Sequence, residues 1–191
     1  MSKSFNEYER NIIRQNLINA CKECWNRYGY QKTGIRELAD MADISTGSFY
    51  QFYDSKELLF MATAEEYQKE LVQLFHENMQ RNPGKQGVAE SIKALISKTS
   101  NMPWLSSMWE EWSVIARKLP PDYVEKDFRK DIMRIEDIIR QYQLSSKQSI
   151  ETITQIIDIL FTSVAKITYI PGETKESVNF IIDAVINELF D

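Results

Sequence analysis

The chain has 191 residues, of which 43% are hydrophobic and 27% charged, and its net charge is −5. That length and apolar share suffice for one hydrophobic core or two small ones and exclude a disordered or collagen-like chain. The first thirty residues are charged and lack the apolar run of a signal peptide. The most apolar stretch, Ile150 to Ile170, is broken by Glu151, Asp158 and Lys166, so it falls short of a membrane span. The expected protein is soluble and cytoplasmic, with no membrane association.

Apolar residues recur at helical spacing nearly throughout, and no strand-like alternation stands out, so the fold class read from the sequence is all-α. Tyr8 to Tyr28 is predicted as one helix, stopped by Gly29. Its apolar stripe contains Cys21 and Cys24, a C-x-x-C that suits a redox motif or half a zinc site. There is no second cysteine pair, and His76 is the only histidine, so buried small hydrophobes are the plainer reading and a metal or thiol switch the alternative. Ile35 to Ala42 is a short helix. After the break at Asp43-Ile44, Ser45 caps another that runs to about Tyr50. Ser55 caps a long helix to about Gln80, ended by Asn82-Pro83-Gly84. Further helices are expected over Val88–Thr99, Trp104–Lys118, Pro121–Tyr142, Ser146–Tyr169 and Lys175–Phe190.

Two short helices joined by a few residues cannot form a core alone and must lean on the first helix. A DNA-reading helix-turn-helix is built this way, although short helix pairs also occur in ordinary bundles. Residues 1–56 carry eight Lys/Arg against seven Asp/Glu, a net +1, whereas the rest carry fifteen against twenty-one, a net −6. A weakly positive front is compatible with a polyanion but modest beside strongly basic nucleic-acid binders.

The run from Leu17 to Leu59 resembles the N-terminal DNA-binding domain of the TetR family of transcriptional repressors. Leu17, Ala20, Cys21, Cys24 and Trp25 fill the apolar positions of its first helix, followed by Gly29-Tyr30. Thr33, Ile35, Arg36, Leu38 and Ala39 match the second helix. Ile44-Ser45, Gly47-Ser48, Tyr50, Phe52-Tyr53 and Ser55-Lys56-Glu57-Leu58-Leu59 match the third and the start of the fourth. The chain departs from the pattern in three places. Gly34 stands where a Ser or Thr is common, the turn lacks its usual glycine, and Phe52 replaces a frequent histidine. Asp43 suits the left-handed conformation better than most residues and softens the second departure.

The resemblance implies a three-helix DNA-binding head over residues 1–55 and a larger helical body over 56–191 for ligand binding and dimerisation. Thr46, Gly47 and Ser48, behind Ser45, open the recognition helix, where short side chains and free N–H groups can approach DNA. Tyr50 and Gln51 are expected to face outward, while Phe49 and Tyr53 pack back. Lys56, Arg36 and Thr33 are the candidate phosphate contacts. Lys3, Arg10 and Arg14 are either basic contacts from the N-terminal arm or a solvated face.

So few contacts argue for two copies on a palindromic operator, with half-sites about 34 Å or its multiples apart. In the resembled family the last two helices form a four-helix dimer interface. Here Ile153, Ile157, Leu160, Phe161 and Val164 line one helix, and Val178, Ile182, Val185, Ile186 and Leu189 the other. Internal core is the competing account of both faces.

Trp104, Met108, Trp109 and Trp112 make an aromatic and methionine stripe that is either core or a ligand wall completed by Phe75, Met79, Tyr123 and Phe128. Such a wall would take a small apolar or cationic molecule. No Gly-rich phosphate loop, H-E-x-x-H or G-x-S-x-G is present, and no cofactor or catalysis is expected. The reading is a ligand-released repressor acting as a homodimer on operator DNA. The alternative is a helical ligand-binding or protein-interaction module without sequence-specific DNA binding.

Overall fold

The computed structural model describes residues 5–100, 102–165 and 170–191, the side chains of 103, 105–110 and 165 excepted. Among the described residues the chain is helical from end to end, and the one strand-like pairing is an isolated bridge between Ser146 and Phe190. The helices are α1 (Glu7–Lys32), α2 (Ile35–Met41), α3 (Thr46–Phe49), α4 (Lys56–Arg81), α5 (Lys85–Ser100), α6 (Pro103–Ala116), α7 (Tyr123–Gln141), α8 (Ile150–Ala165) and α9 (Lys175–Leu189). They group into two compact units. The first comprises Met1–Lys69 with Pro103–Leu119, and the second Glu70–Met102 with Pro120–Asp191. No helix among the described residues is long and apolar enough to cross a membrane.

The first unit is nucleated by α1. Asn6 caps it through a reciprocal capping box with Glu9, both hydrogen bonds 2.9 Å long, and this satisfies amide donors that the helix start leaves over. Ile13, Leu17, Cys21, Cys24 and Trp25 then recur at three- and four-residue steps and are buried. The helix breaks at Gly29, whose φ of 73° is the left-handed conformation that glycine adopts without penalty. Around α1 pack Leu38 and Ala39 of α2, Phe49 of α3, Leu59 and Phe60 of α4, and Trp104 and Ile115 of α6, all buried. Trp25 is the hub. Its ring lies 4.3 Å from Phe60 and 5.3 Å from Trp104, which also meets Tyr67 at 5.2 Å. Cys21 and Cys24 are buried free thiols, and burial pushes them up to about 12 and about 11. No cluster of potential metal ligands lies among the described residues.

In the second unit, the later part of α4 contributes Phe75 and Met79 to a core with Ile92 and Ile96 of α5, Ile153 and Leu160 of α8, and Ile182 and Ile186 of α9. α5 starts at Lys85, three residues ahead of the sequence expectation, because Gly84 turns the chain at a φ of 87°. Gly87 lets the new helix close on the end of the old one. A Cβ there would lie 1.6 Å from the Asn82 carbonyl oxygen. α7 has no fully buried residue. It leans Ile135, Ile138 and Ile139 on the core and laces its outer face with pairs such as Glu125–Arg129 and Asp137–Arg140.

α8 starts at Ile150 rather than at Ser146, because residues 145–147 pair with the end of α9. Lys147 N–H donates to the Leu189 carbonyl (2.9 Å) and Asp191 N–H to the Ser145 carbonyl (3.0 Å). Positions 166–169 of the predicted helix lie outside the described residues.

Candidate nucleic-acid interface

The turn between α2 and α3 needs one left-handed residue, and Asp43 supplies it at a φ of 57° in place of glycine. Ser45 then caps α3, its hydroxyl accepting from Ser48 N–H at 3.1 Å. α3 is only four residues long and is held by its aromatics. Phe49 is wholly buried, with the Tyr53 ring 6.3 Å away, as the sequence suggested. Tyr50 stacks edge-on against Phe49 at 5.5 Å yet remains 53% exposed. Ser45, Thr46 and Gly47 are exposed beside it. Ser48 departs from expectation. It is turned inward and shares a 2.9 Å hydrogen bond with the Ser45 hydroxyl.

Two expected phosphate contacts are used inside the protein. Thr33 is 1% exposed, and its hydroxyl donates to the Gly29 carbonyl at 2.8 Å, closing the frayed end of α1. Lys56 is half-buried, with its ammonium donating to the carbonyls of Tyr30 and Thr33, each at 2.8 Å, and lying 4.1 Å from the Tyr30 ring. A cation at a helix C-terminus neutralises carbonyls that the helix leaves unpaired, and burial holds this ammonium below its ordinary range. The sequence placed both residues on DNA because it locates the break at Gly29 but not which side chains close the carbonyls that the break leaves open.

Arg36 is exposed and has only a 3.9 Å pairing with exposed Asp40, which screening leaves weak. Gln51 is half-exposed, and its carbonyl accepts from Arg10. Thr33, Gly34, Ile35, Tyr50, Asp54, Ser55, Lys56 and Glu57 line an open groove of about 290 Å³, flanked by the uncapped start of α2 and the serine-capped start of α4. Phe52 does not face outward alone. Its ring lies 5.6 Å from Phe5 and 4.8 Å beneath the Arg10 guanidinium.

Sequence reasoning missed a polar cluster beneath this surface. Tyr30 donates its hydroxyl to Glu57 at 2.5 Å, Lys118 lies 3.8 Å from the same carboxylate, and Tyr30 N–H donates to Glu111 at 2.8 Å. Burial works to raise the Glu57 carboxyl, but hydrogen bonds from Tyr30, its own amide and Ser55, with Lys118 nearby, bring it below its ordinary range. Glu111 is thus engaged on α1.

The remaining candidates fall as follows. Trp104 is core, enclosed by Trp25 and Tyr67, and Trp112 is half-buried on α6. Phe75 and Met79 are core in the second unit, and Tyr123 and Phe128 are half-buried on α7. The side chains of Met108 and Trp109 lie outside the described residues. Of the faces assigned to dimerisation, Ile153, Leu160, Val178, Ile182, Ile186 and Leu189 are buried in the second unit's own core. Ile157, Phe161, Val164 and Val185 are partly buried against it. The richest apolar stripe of each helix has gone inward. Ile159 (64%), Phe180 (74%) and Ile181 are exposed, and the sequence reading did not single out Ile159 or Phe180 for an interface.

A very short helix, anchored by one buried ring and presenting small polar residues and a tyrosine, defines a helix-turn-helix DNA-binding head. That head is similar to the DNA-binding head of the TetR family. Residues 17–63 match the family model of bacterial regulatory proteins, tetR family. The chain is 24% identical over 102 residues to the HTH-type transcriptional repressor AcnR of Corynebacterium diphtheriae, covering 53% of this chain and 50% of that protein. It is 24% identical over 111 residues to AcnR of Corynebacterium glutamicum, covering 58% and 53%. The match thus spans about half the length of these curated relatives.

Among solved structures, RolR in complex with resorcinol superposes with a TM-score of 0.68 at 15% identity, over 95% of this chain and 88% of that one. FadR of Thermus thermophilus, a TetR-family transcriptional repressor in complex with lauroyl-CoA, gives 0.65 at 19%, over 92% and 93%. These likenesses establish a shared all-helical fold.

Proposed function

We propose that the protein is a ligand-responsive transcriptional repressor that binds a palindromic operator as a homodimer and is released by a small molecule. The observation that carries this reading is the exposed start of α3, with Ser45, Thr46, Gly47 and Tyr50 outward on a family-matched head. Arg36 and the half-exposed Gln51 complete the DNA-facing set, and the Tyr50 groove is wide enough for a backbone phosphate. Residues 1–55 would read DNA and 56–191 regulate, with α4 carrying the signal because it is one helix with residues in both units.

Dimerisation is assigned to the exposed faces of α8 and α9 through Ile159, Phe180 and Ile181, since apolar side chains this open on adjacent helices favour a partner. The ligand is a small apolar or cationic molecule. Resorcinol heads the list of probes, because RolR, which shares the fold, is solved with it. Release requires the ligand to bind the DNA-free arrangement more tightly than the DNA-bound one.

Gel shifts against the DNA upstream of the chain's own coding sequence test the reading. One salt-sensitive complex is expected, weakened by Tyr50→Ala and by Arg36→Ala and dissolved by a small aromatic ligand that also quenches tryptophan fluorescence. Absence of any sequence-preferring complex across salt concentrations refutes the repressor assignment.

A further inference from the structure

With Lys56 committed to two carbonyls, the cations left to meet DNA around α3 are few. Arg10 is one that the fold has aimed. Its guanidinium lies 4.8 Å over the Phe52 ring, and Phe5 flanks the same ring at 5.6 Å. One nitrogen, Nη2, donates to the Gln51 carbonyl at 2.9 Å. Gln51 and Phe52 form the turn that directly follows α3, so the first helix delivers this charge to the carboxyl end of the recognition helix. No carboxylate among the described residues forms an ion pair with Arg10, in contrast to Arg36.

A guanidinium has five N–H donors in a rigid plane, and only one is spent on Gln51. Stacking on Phe52 fixes that plane, so little further side-chain order is lost when the remaining donors meet an anion. The chemistry matched by a planar, unpaired cation at this position is a phosphodiester, which accepts two parallel N–H groups. Phe52 then has a purpose in place of a polar contact of its own, as the platform that holds the arginine.

We propose that Arg10 is a DNA-contacting residue, held by Phe52 and the Gln51 carbonyl to grip a backbone phosphate flanking the recognition helix. This rests on the DNA-reading assignment above. The competing account is a purely internal clamp, in which the same contacts fasten α1 to the turn after α3. The two differ in salt dependence, because only a phosphate contact releases counterions.

The test measures binding of the full chain by fluorescence anisotropy across a range of KCl concentrations. The probe is a duplex selected from a randomised library by the wild-type protein. Arg10→Gln, which keeps a donor for Gln51, and Arg10→Met, which keeps the packing on Phe52, are each expected to weaken binding roughly tenfold per bound protomer. Each should also flatten the plot of log affinity against log salt by about 0.9 per bound protomer. Arg10→Lys should keep the wild-type slope with a smaller loss of affinity. A wild-type slope in the neutral variants, whatever their affinity, overturns the inference and leaves the clamp. A wild-type protein that selects no duplex overturns the DNA-reading assignment and this inference together.

Discussion

Replacing Tyr30 by Phe removes one oxygen from the centre of the DNA-binding head. The ring stays, with its 5.2 Å contact to Phe60, so apolar burial is nearly unchanged. What is lost is a hydrogen bond to a carboxylate that is itself buried. Bonds to charged groups contribute about 1.5–3 kcal/mol. Glu57 keeps its backbone and Ser55 bonds and a 3.8 Å approach from an exposed lysine, so the middle of that range, about 2 kcal/mol, is expected. For a chain of this length that lowers the melting temperature by about 4–8 °C.

The pH dependence carries a sign. The folded carboxyl titrates below its ordinary value of 4.5, so its stabilisation is present above that value and lost as pH falls through the lower folded one. The gap between wild type and Tyr30→Phe in calorimetric melts should therefore be widest near about pH 7 and narrow progressively as pH falls below 4.5. A shift under about 1 °C at neutral pH, or a gap that does not narrow on acidification, refutes this account of the cluster.

Lys56→Met should lower the melting temperature by releasing the carbonyls of Tyr30 and Thr33, while the salt slope of DNA binding stays at its wild-type value. A slope reduced by about one would return Lys56 to the phosphate. Phe180→Asp should convert the proposed dimer to monomer in light-scattering chromatography, with the helical circular dichroism retained. Gly87→Ala should destabilise the second unit by about 3 kcal/mol in urea unfolding, since its new methyl meets backbone rather than a yielding side chain.

Helical period, caps and turns were legible because they are decided within a few residues. Gly29, Asp43, Ser45 and Ser55 each behave as their local chemistry dictates. The inward rings of Phe49 and Tyr53 and the outward ring of Tyr50 followed from the brevity of α3. Other partners lie far along the chain, where local pattern gives no sign of them. Lys56 looked like a surface contact, yet it reaches back 26 residues to the Tyr30 carbonyl. Thr33, by contrast, turns back only four residues, to the Gly29 carbonyl. Arg10 stood between a basic contact from the N-terminal arm and a solvated face, and its partner Gln51 is 41 residues on. The dimer faces stayed open between two accounts for another reason. Where a helix is apolar on more than one side, its pattern shows that a face is buried but does not distinguish its own core from a partner's.

Trp25 and Trp104 belong to one core but are separated by 78 intervening residues. At a synthesis rate of about 5–20 residues per second, the ribosome takes roughly 4–16 s to deliver the second tryptophan after the first. During that interval the nascent head has its helices but lacks part of its seal, so Trp25 is open to water or to a chaperone. Expression of the matched segment alone, ending at residue 63, would make that interval permanent. A stop codon or ribosomal stall ahead of α6 therefore yields an incompletely closed DNA reader rather than an unregulated one.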